Sequence, residues 1–246
     1  MTENNQQISL ENEGQTDGEI FRYLDLPTTE LLDKFGKGSH IPGSGSAAAL
    51  SALIAVELLK TVCILTKTKE AYSSVHSQMD YIREQLEQEY KPKLIDLFYK
   101  DSIEFSKVSE KRMLRDIEKD EKLREKYGRE AAEQLRIATE IPIEMCNTCF
   151  KLMEFALSIF DNGYKATRGD AGVAISNLLA GISGTLFVVL LNIKVAKKSN
   201  WTEAKRKEAE ALAERFVKTQ RDAFSRVVSL YKDGIPDGQT AITFEQ

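Results

Sequence analysis

The chain has 246 residues, 42% of them apolar and 29% charged, with a net charge of −4. This length and composition allow a substantial buried core; the acidic balance lends no support to nucleic-acid binding. Three cysteines, Cys63, Cys146 and Cys149, are too few and too unevenly spaced for a disulfide framework, and the polar start without a signal-peptide pattern makes the cytoplasm the expected compartment.

Residues 1–22 read as a flexible polar arm, 23–234 as one helical domain and 235–246 as a tail. "LPTTELLDKF" reads as a short helix with Pro27 at its start. The loop "GKGSHIPGSG" then leads into a long apolar helix beginning near Ser46. A helix is expected over 74–90, with Pro92 as a break or restart, and another over "KLIDLFYKDSIEFSKVSEKRML". Helical patterns continue over 128–160, interrupted at Pro142, then over 170–197 and 202–232, with Asn200 or Thr202 capping the last. No stretch alternates as a strand does, so the expected fold is all-α, an antiparallel bundle of long helices.

Between Lys107 and Glu130, 16 of 24 residues are charged, nine positive and seven negative. Interleaved signs of this kind read as a solvated helical surface laced with i,i+4 pairs. The opposite extreme is the stretch 171–193, which has no charged residue and is long enough to span a bilayer. Its Ser176, Asn177, Ser183, Thr185 and Asn192 favour a buried core helix instead, so no membrane partner is expected. Gly172, Ser176, Ala180 and Gly184 recur every four residues, a spacing that suits close helix approach. Ser44, Ala48 and Ala52 form a similar stripe, with Ala55 and Lys60 further along that side. Two such helices carry more apolar surface than one bundle readily hides, so a homo-oligomer is expected.

The loop "IPGSGSAAAL" is not a phosphate loop, because no Lys follows Gly45 and no strand precedes it. Two readings remain: a flexible turn capped by Ser44 or Ser46, or a helix N-terminus whose free N–H groups face an anionic or carbonyl-bearing ligand. Metal chemistry has little support, with only His40 and His76 and no acidic cluster at ligand spacing, and no metal is expected. "CNTC" lacks a thioredoxin-like context and reads as buried thiols. Asp101, in "FYKDSIEF", either points to solvent beside Lys100 and Glu104 or faces the bundle interior. In the second case burial raises its pKa toward a value useful for general acid–base work. Asp170 reads as a first-turn carboxylate, and Asn192, in "VVLLNIK", as a buried polar group needing partners.

As an ordered set, these elements resemble the cyclodeaminase/cyclohydrolase family that acts on one-carbon tetrahydrofolates. The family's Pro-Gly-Gly-Gly-Ser loop corresponds to "PGSGSAAAL", and its Thr-containing basic segment to "LTKTKEAY", with Thr66 and Lys69 retained. Its Asp-x-x-x-Phe element corresponds to "DSIEF", and "IPIEM", "GDAGVA" and "VVLLN" follow in the family's order, over about Leu26 to Val217. The resemblance implies an all-helical homodimer with folate clefts near the subunit interface. It implies either hydrolysis of 5,10-methenyltetrahydrofolate to the 10-formyl compound or closure of 5-formiminotetrahydrofolate with loss of ammonia. It casts Asp101 as the catalytic group and Pro42, Gly43, Ser44, Gly45 and Ser46 as the wall of the cleft. Lys69 becomes a partner for the glutamate tail, Asp170 and Asn192 become substrate-binding residues, and no tightly bound cofactor is implied. The chain departs from the pattern at Ser44, Gly169, Val188 and Tyr164, and in "VSEKRMLRD", where the family has a Leu-Pro-Lys segment.

Overall fold

A computed structural model describes residues 22–39 and 41–230. The N-terminal arm up to residue 21, His40 and the tail expected over 235–246 lie outside the described residues. Within them the chain is helical and contains no strand. A short α1 (Thr28–Gly36) precedes α2 (Ser44–Lys67), and a 3-10 turn (Glu70–Val75) leads to α3 (His76–Gln85). A π-turn (Leu86–Tyr90) joins α3 to α4 (Lys91–Ile117), and α5 (Glu121–Asn162), α6 (Arg168–Val195) and α7 (Asn200–Leu230) complete the bundle.

Two expected breaks are bridged. Pro92 follows directly on the π-turn, and this wide turn carries the chain through without a loop, so the helical backbone is not broken at the proline. Pro142 sits buried inside α5, which runs 42 residues without interruption. The burial of that helix among its neighbours outweighs one lost backbone hydrogen bond. The charged span does split, at Glu118–Asp120. The Asp120 carboxylate accepts the Leu123 N–H at 2.9 Å and starts α5 there, ahead of the expected residue 128. Thus α4 and α5 form a long antiparallel hairpin whose charged tip has its own small core of Val108, Leu135 and Ala138.

The main core surrounds α2, where Ala48, Ala49, Ala52, Ala55, Val56 and Leu59 are buried. The stripe predicted on α2 therefore faces inward, apart from its exposed first residue Ser44. Of the stripe predicted on α6, only Gly184 makes such a contact. Ser176 and Ala180 are exposed, and the close approach is made by Gly181 and Gly184. A side chain at Gly181 would stand 3.1 Å from Cys149 Sγ and 3.4 Å from the Ala48 carbonyl; one at Gly184 would stand 3.4 Å from Ala48 Cβ. Each step of four residues turns a helix about 40° beyond a full circle. A strict i+4 stripe therefore drifts away from the contact, and a mixed i+3/i+4 set keeps it.

By length and composition α2 and α6 could each cross a membrane, with mean hydropathies of 2.1 and 2.0. Here they pack on one another inside the bundle. All three cysteines are free and buried. Burial pushes the Cys63 thiol up to about 12 and Cys146 to about 11, so neither is a thiolate near neutrality.

Candidate active site

Helix α2 opens after the buried Pro42, with Gly43 at its N-cap. Its first N–H groups have no acceptor within the helix. The cap is supplied from elsewhere: the Ser46 N–H donates to Asp101 Oδ2 at 3.1 Å, across 55 residues of sequence. Neither Ser44 nor Ser46 caps through its own side chain. The Ser46 hydroxyl donates to the Phe98 carbonyl at 3.1 Å and lies 2.9 Å from the Ser102 hydroxyl, so Ser46 is fastened to two successive turns of α4.

Gly45 explains how a carboxylate comes so close. A Cβ built there would lie 2.1 Å from Asp101 Oδ1 and 2.3 Å from its Cγ. No residue but glycine leaves that space, so the Asp101 carboxyl rests directly on the opening backbone of α2. Burial pushes its pKa up to about 6, partly opposed by the Ser46 amide and hydroxyl. A carboxyl of this kind is largely ionised at neutral pH, yet basic enough to accept a proton there.

The remaining sequence candidates divide between the two ends of α2. Helix α6 runs antiparallel to α2: Gly181 and Gly184 lie against Ala48, whereas Gly163, just before α6, lies against Val62 and Thr66. Asn192 therefore belongs to the Asp101 end. It is buried, and among the described residues its amide nitrogen has no hydrogen-bond partner.

Lys69 and Asp170 belong to the other end. Twenty residues of helix, about 30 Å at 1.5 Å each, separate Ser46 from Thr66. At that far end the Thr66 hydroxyl donates to the Val62 carbonyl at 2.7 Å and accepts the Tyr164 N–H at 2.9 Å. Lys69 Nζ stands 5.0 Å over the Tyr164 ring, which meets Tyr72 edge-on at 5.7 Å. Within the chain Lys69 and Asp170 thus do not share a cleft with Asp101.

Sequence reasoning overlooked Ser102 and the Tyr72–Tyr164 pair. Ser102 carried a signal, being polar, adjacent to Asp101 and one turn beyond Phe98 in an apolar run. The tyrosine pairing joins residues 92 positions apart, and no local pattern reports it. Among the described residues no group of three His, Cys, Asp or Glu side chains converges as a metal site requires.

A formiminotransferase-cyclodeaminase family profile matches residues 27–211, which include both ends of α2 and the Asp101 element. The chain belongs to that family. A methenyltetrahydrofolate cyclohydrolase from Methylorubrum extorquens is 28% identical over 182 residues, 74% of this chain and 86% of that protein. The crystal structure of formiminotetrahydrofolate cyclodeaminase from Thermotoga maritima superposes with a TM-score of 0.71 at 21% identity. That match covers 84% of this chain and 98% of the other. The helical fold described above is therefore the fold of the family.

Proposed function

We propose that this family member is a folate-dependent one-carbon enzyme, and specifically a methenyltetrahydrofolate cyclohydrolase. The observation that carries the reading is the half-buried Asp101 carboxyl, packed directly against Gly45, held by the Ser46 amide and pushed up to about 6 by desolvation. Asp101 takes a proton from water as the water oxygen bonds to the bridging carbon between N5 and N10 of the cationic substrate. The resulting carbinolamine loses its hydroxyl proton as the C–N5 bond breaks, and N5 gains a proton. One proton is released overall, and the 10-formyl compound leaves. The ionised carboxyl also favours the cationic substrate electrostatically. Water is the only other reactant.

The higher identity to the relative named as a cyclohydrolase, 28% against 21% for the cyclodeaminase, favours this reaction over ring closure with loss of ammonia. Purified protein is expected to bleach methenyltetrahydrofolate absorbance, and Asp101→Asn to lose that activity. Ammonia release from 5-formiminotetrahydrofolate, with no hydrolysis of the methenyl compound, would overturn the assignment in favour of the cyclodeaminase.

The working form in this proposal is a homodimer. The outer side of α6 leaves Phe187 70% exposed, with Leu190, Leu191 and Val195 also bare, and α2 beside it exposes Ile54 and Ile64. A second copy paired antiparallel on this surface covers it. It also brings one protomer's Lys69 end alongside its partner's Asp101 end, giving the second group of residues a place at the cleft. Phe187→Glu is expected to shift the sedimentation coefficient from dimer to monomer; an unchanged value would place the interface elsewhere.

A further inference from the structure

A serine or threonine inside a helix ordinarily gives its hydroxyl hydrogen to the carbonyl four residues back. This chain does so repeatedly: Ser51 bonds the Ala47 carbonyl, Thr66 that of Val62 and Ser176 that of Gly172. Ser102 lies buried inside α4, and the carbonyl four residues back is that of Phe98. That carbonyl accepts the Ser46 hydroxyl instead, at 3.1 Å, while the Ser102 hydroxyl is turned to the Ser46 oxygen at 2.9 Å.

Counting hydrogens fixes the direction of this last bond. Each hydroxyl has one hydrogen and each is buried, that of Ser46 completely. Two acceptors on α4 compete for the Ser46 hydrogen: the Phe98 carbonyl and the Asp101 carboxylate, whose pKa the Ser46 hydroxyl holds down. Whichever takes it, the Ser46 oxygen is left to accept from Ser102. In the reverse direction the Ser102 hydrogen would have no acceptor among the described residues. Neither α4 acceptor is stranded when the Ser46 hydrogen turns away. The Ser102 N–H reaches the Phe98 carbonyl along the helix, and the Ser46 N–H stays on Asp101.

The charged groups on the surrounding elements are engaged elsewhere. On α4 Lys100 pairs with Asp96 and Glu104 with Lys107; on α5 Arg136 pairs with Glu133 and Glu140 with Lys205. Helix α2 carries no charge over 44–56, nor α6 over 171–193. Burial and Ser46 are what set the Asp101 carboxyl, so a group that controls Ser46 controls Asp101.

We propose that Ser102 is a positioning residue for Asp101 and acts through Ser46. Its hydroxyl donates to the Ser46 oxygen, so that Ser46 gives its own hydrogen to Asp101 while the carboxyl is ionised and to the Phe98 carbonyl once Asp101 has taken the proton of water. Neither serine gains or loses a proton; only the direction of one hydrogen bond changes. A hydroxyl that accepts one bond donates a stronger one, so Ser102 favours the charged carboxyl. The catalytic use of this arrangement rests on the cyclohydrolase reading above, whereas the arrangement itself does not.

The test therefore has one readout that needs no substrate. Protein carrying aspartate labelled with carbon-13 at its side-chain carboxyl is titrated by NMR, and the Asp101 signal is assigned as the one missing from Asp101→Asn. Its midpoint is expected near 6 in wild type and about half a pH unit or more higher in Ser102→Ala. Ser102→Thr, which keeps the hydroxyl, is expected to restore it; Ser102→Cys, a weak donor of similar size, replaces Ala if that variant does not fold. Ser106→Ala, which removes a hydroxyl bonded only to the Ile103 carbonyl one turn on, serves as control and is expected to match wild type. His40 lies outside the described residues, and the Ser102 shift is expected to persist in a His40→Gln background. An unchanged midpoint in Ser102→Ala, or a shift that vanishes without His40, overturns the proposal. So does a further rise when Ser102→Ala is added to Ser46→Ala, because a residue acting only through Ser46 has no effect once that hydroxyl is gone. With methenyltetrahydrofolate, Ser102→Ala is expected to lower kcat about three- to tenfold at unchanged KM and to move the pH midpoint of the rate by the same amount as the NMR signal. Absence of turnover in wild type sinks the cyclohydrolase reading, while the NMR titration still decides the role of Ser102.

Discussion

The two ends of α2 solve the same steric problem in opposite ways. Each relies on a glycine against which another group rests. At the N-terminal end the close atoms are the carboxyl of Asp101, 2.1–2.4 Å from where a Gly45 Cβ would be. At the C-terminal end the close atom is the Ile159 carbonyl, 2.6 Å from where a Gly163 Cβ would be. The second arrangement is neutral and fully bonded: the Gly163 N–H donates to that carbonyl at 2.8 Å, and Thr66 accepts the next N–H. The first buries an ionisable group with one backbone donor, which costs stability. A glycine that accommodates backbone is explained by folding; a glycine that accommodates a destabilised carboxyl points to chemistry.

The sharpest way to break this distinction is Asp101→Asn, which is isosteric and can still accept the Ser46 N–H. Turnover of methenyltetrahydrofolate is expected to fall by about 10²–10⁴-fold. For wild type the rate is expected to rise with pH through about 6 and then level off, because the base form is required. Stability moves the other way. The folded-state pKa of Asp101 lies above its ordinary value near 3.8, so its contribution falls as pH rises from about 4 to about 6 and stays low above that. The cost at neutral pH is on the order of 3 kcal/mol. The Asn variant should therefore melt several degrees higher than wild type at pH 7.5, with the gain shrinking as pH falls from 6 toward 4. A variant that is no more stable at pH 7.5 would return Asp101 to the role of a simple helix cap.

Gly45→Ala tests the same end through geometry. The new methyl group must displace the carboxyl by more than an ångström, and a loss of about 10²-fold in rate is expected, with the chain still folded by circular dichroism. Gly163→Ala should do the reverse. Crowding against Ile159 is expected to lower stability by about 1–3 kcal/mol in urea denaturation while leaving the pH midpoint of the rate at about 6. A shifted midpoint would show that the two ends are coupled. The smallest effect is expected from Thr66→Val, which strands the Tyr164 N–H and costs about 1–2 kcal/mol, again read from the urea midpoint.

How much of this was legible in the sequence differs from residue to residue. The all-helical fold followed from periodicity and from the absence of alternating runs. The glycine loop, Asp101 and the retained Lys69 carried enough spacing to suggest the family. Pro142 misled, because a proline inside a long buried helix is tolerated when packing on both sides outweighs one lost hydrogen bond. The i+4 stripe on α6 misled because 3.6 residues per turn carries it off the contact face. The sharing of one cleft by Asp101, Lys69 and Asp170 could not be judged from spacing at all. Sequence order does not say that α6 runs back along α2 and separates them by about 30 Å.

The sequence by itself determined the helices, the apolar identity of α2 and α6, and the presence of a glycine loop and an aspartate in a mostly apolar run. Those are local properties, set by side-chain volume, backbone freedom and periodic burial. Only the tertiary structure decided that the aspartate caps the helix after the loop and that Gly45 is the residue allowing it. The same is true of the Ser46 hydroxyl, which two turns of α4 hold through the Phe98 carbonyl and Ser102. These facts depend on groups far apart in the chain meeting within a few ångströms, where burial can raise a pKa and a single Cβ can prevent the contact.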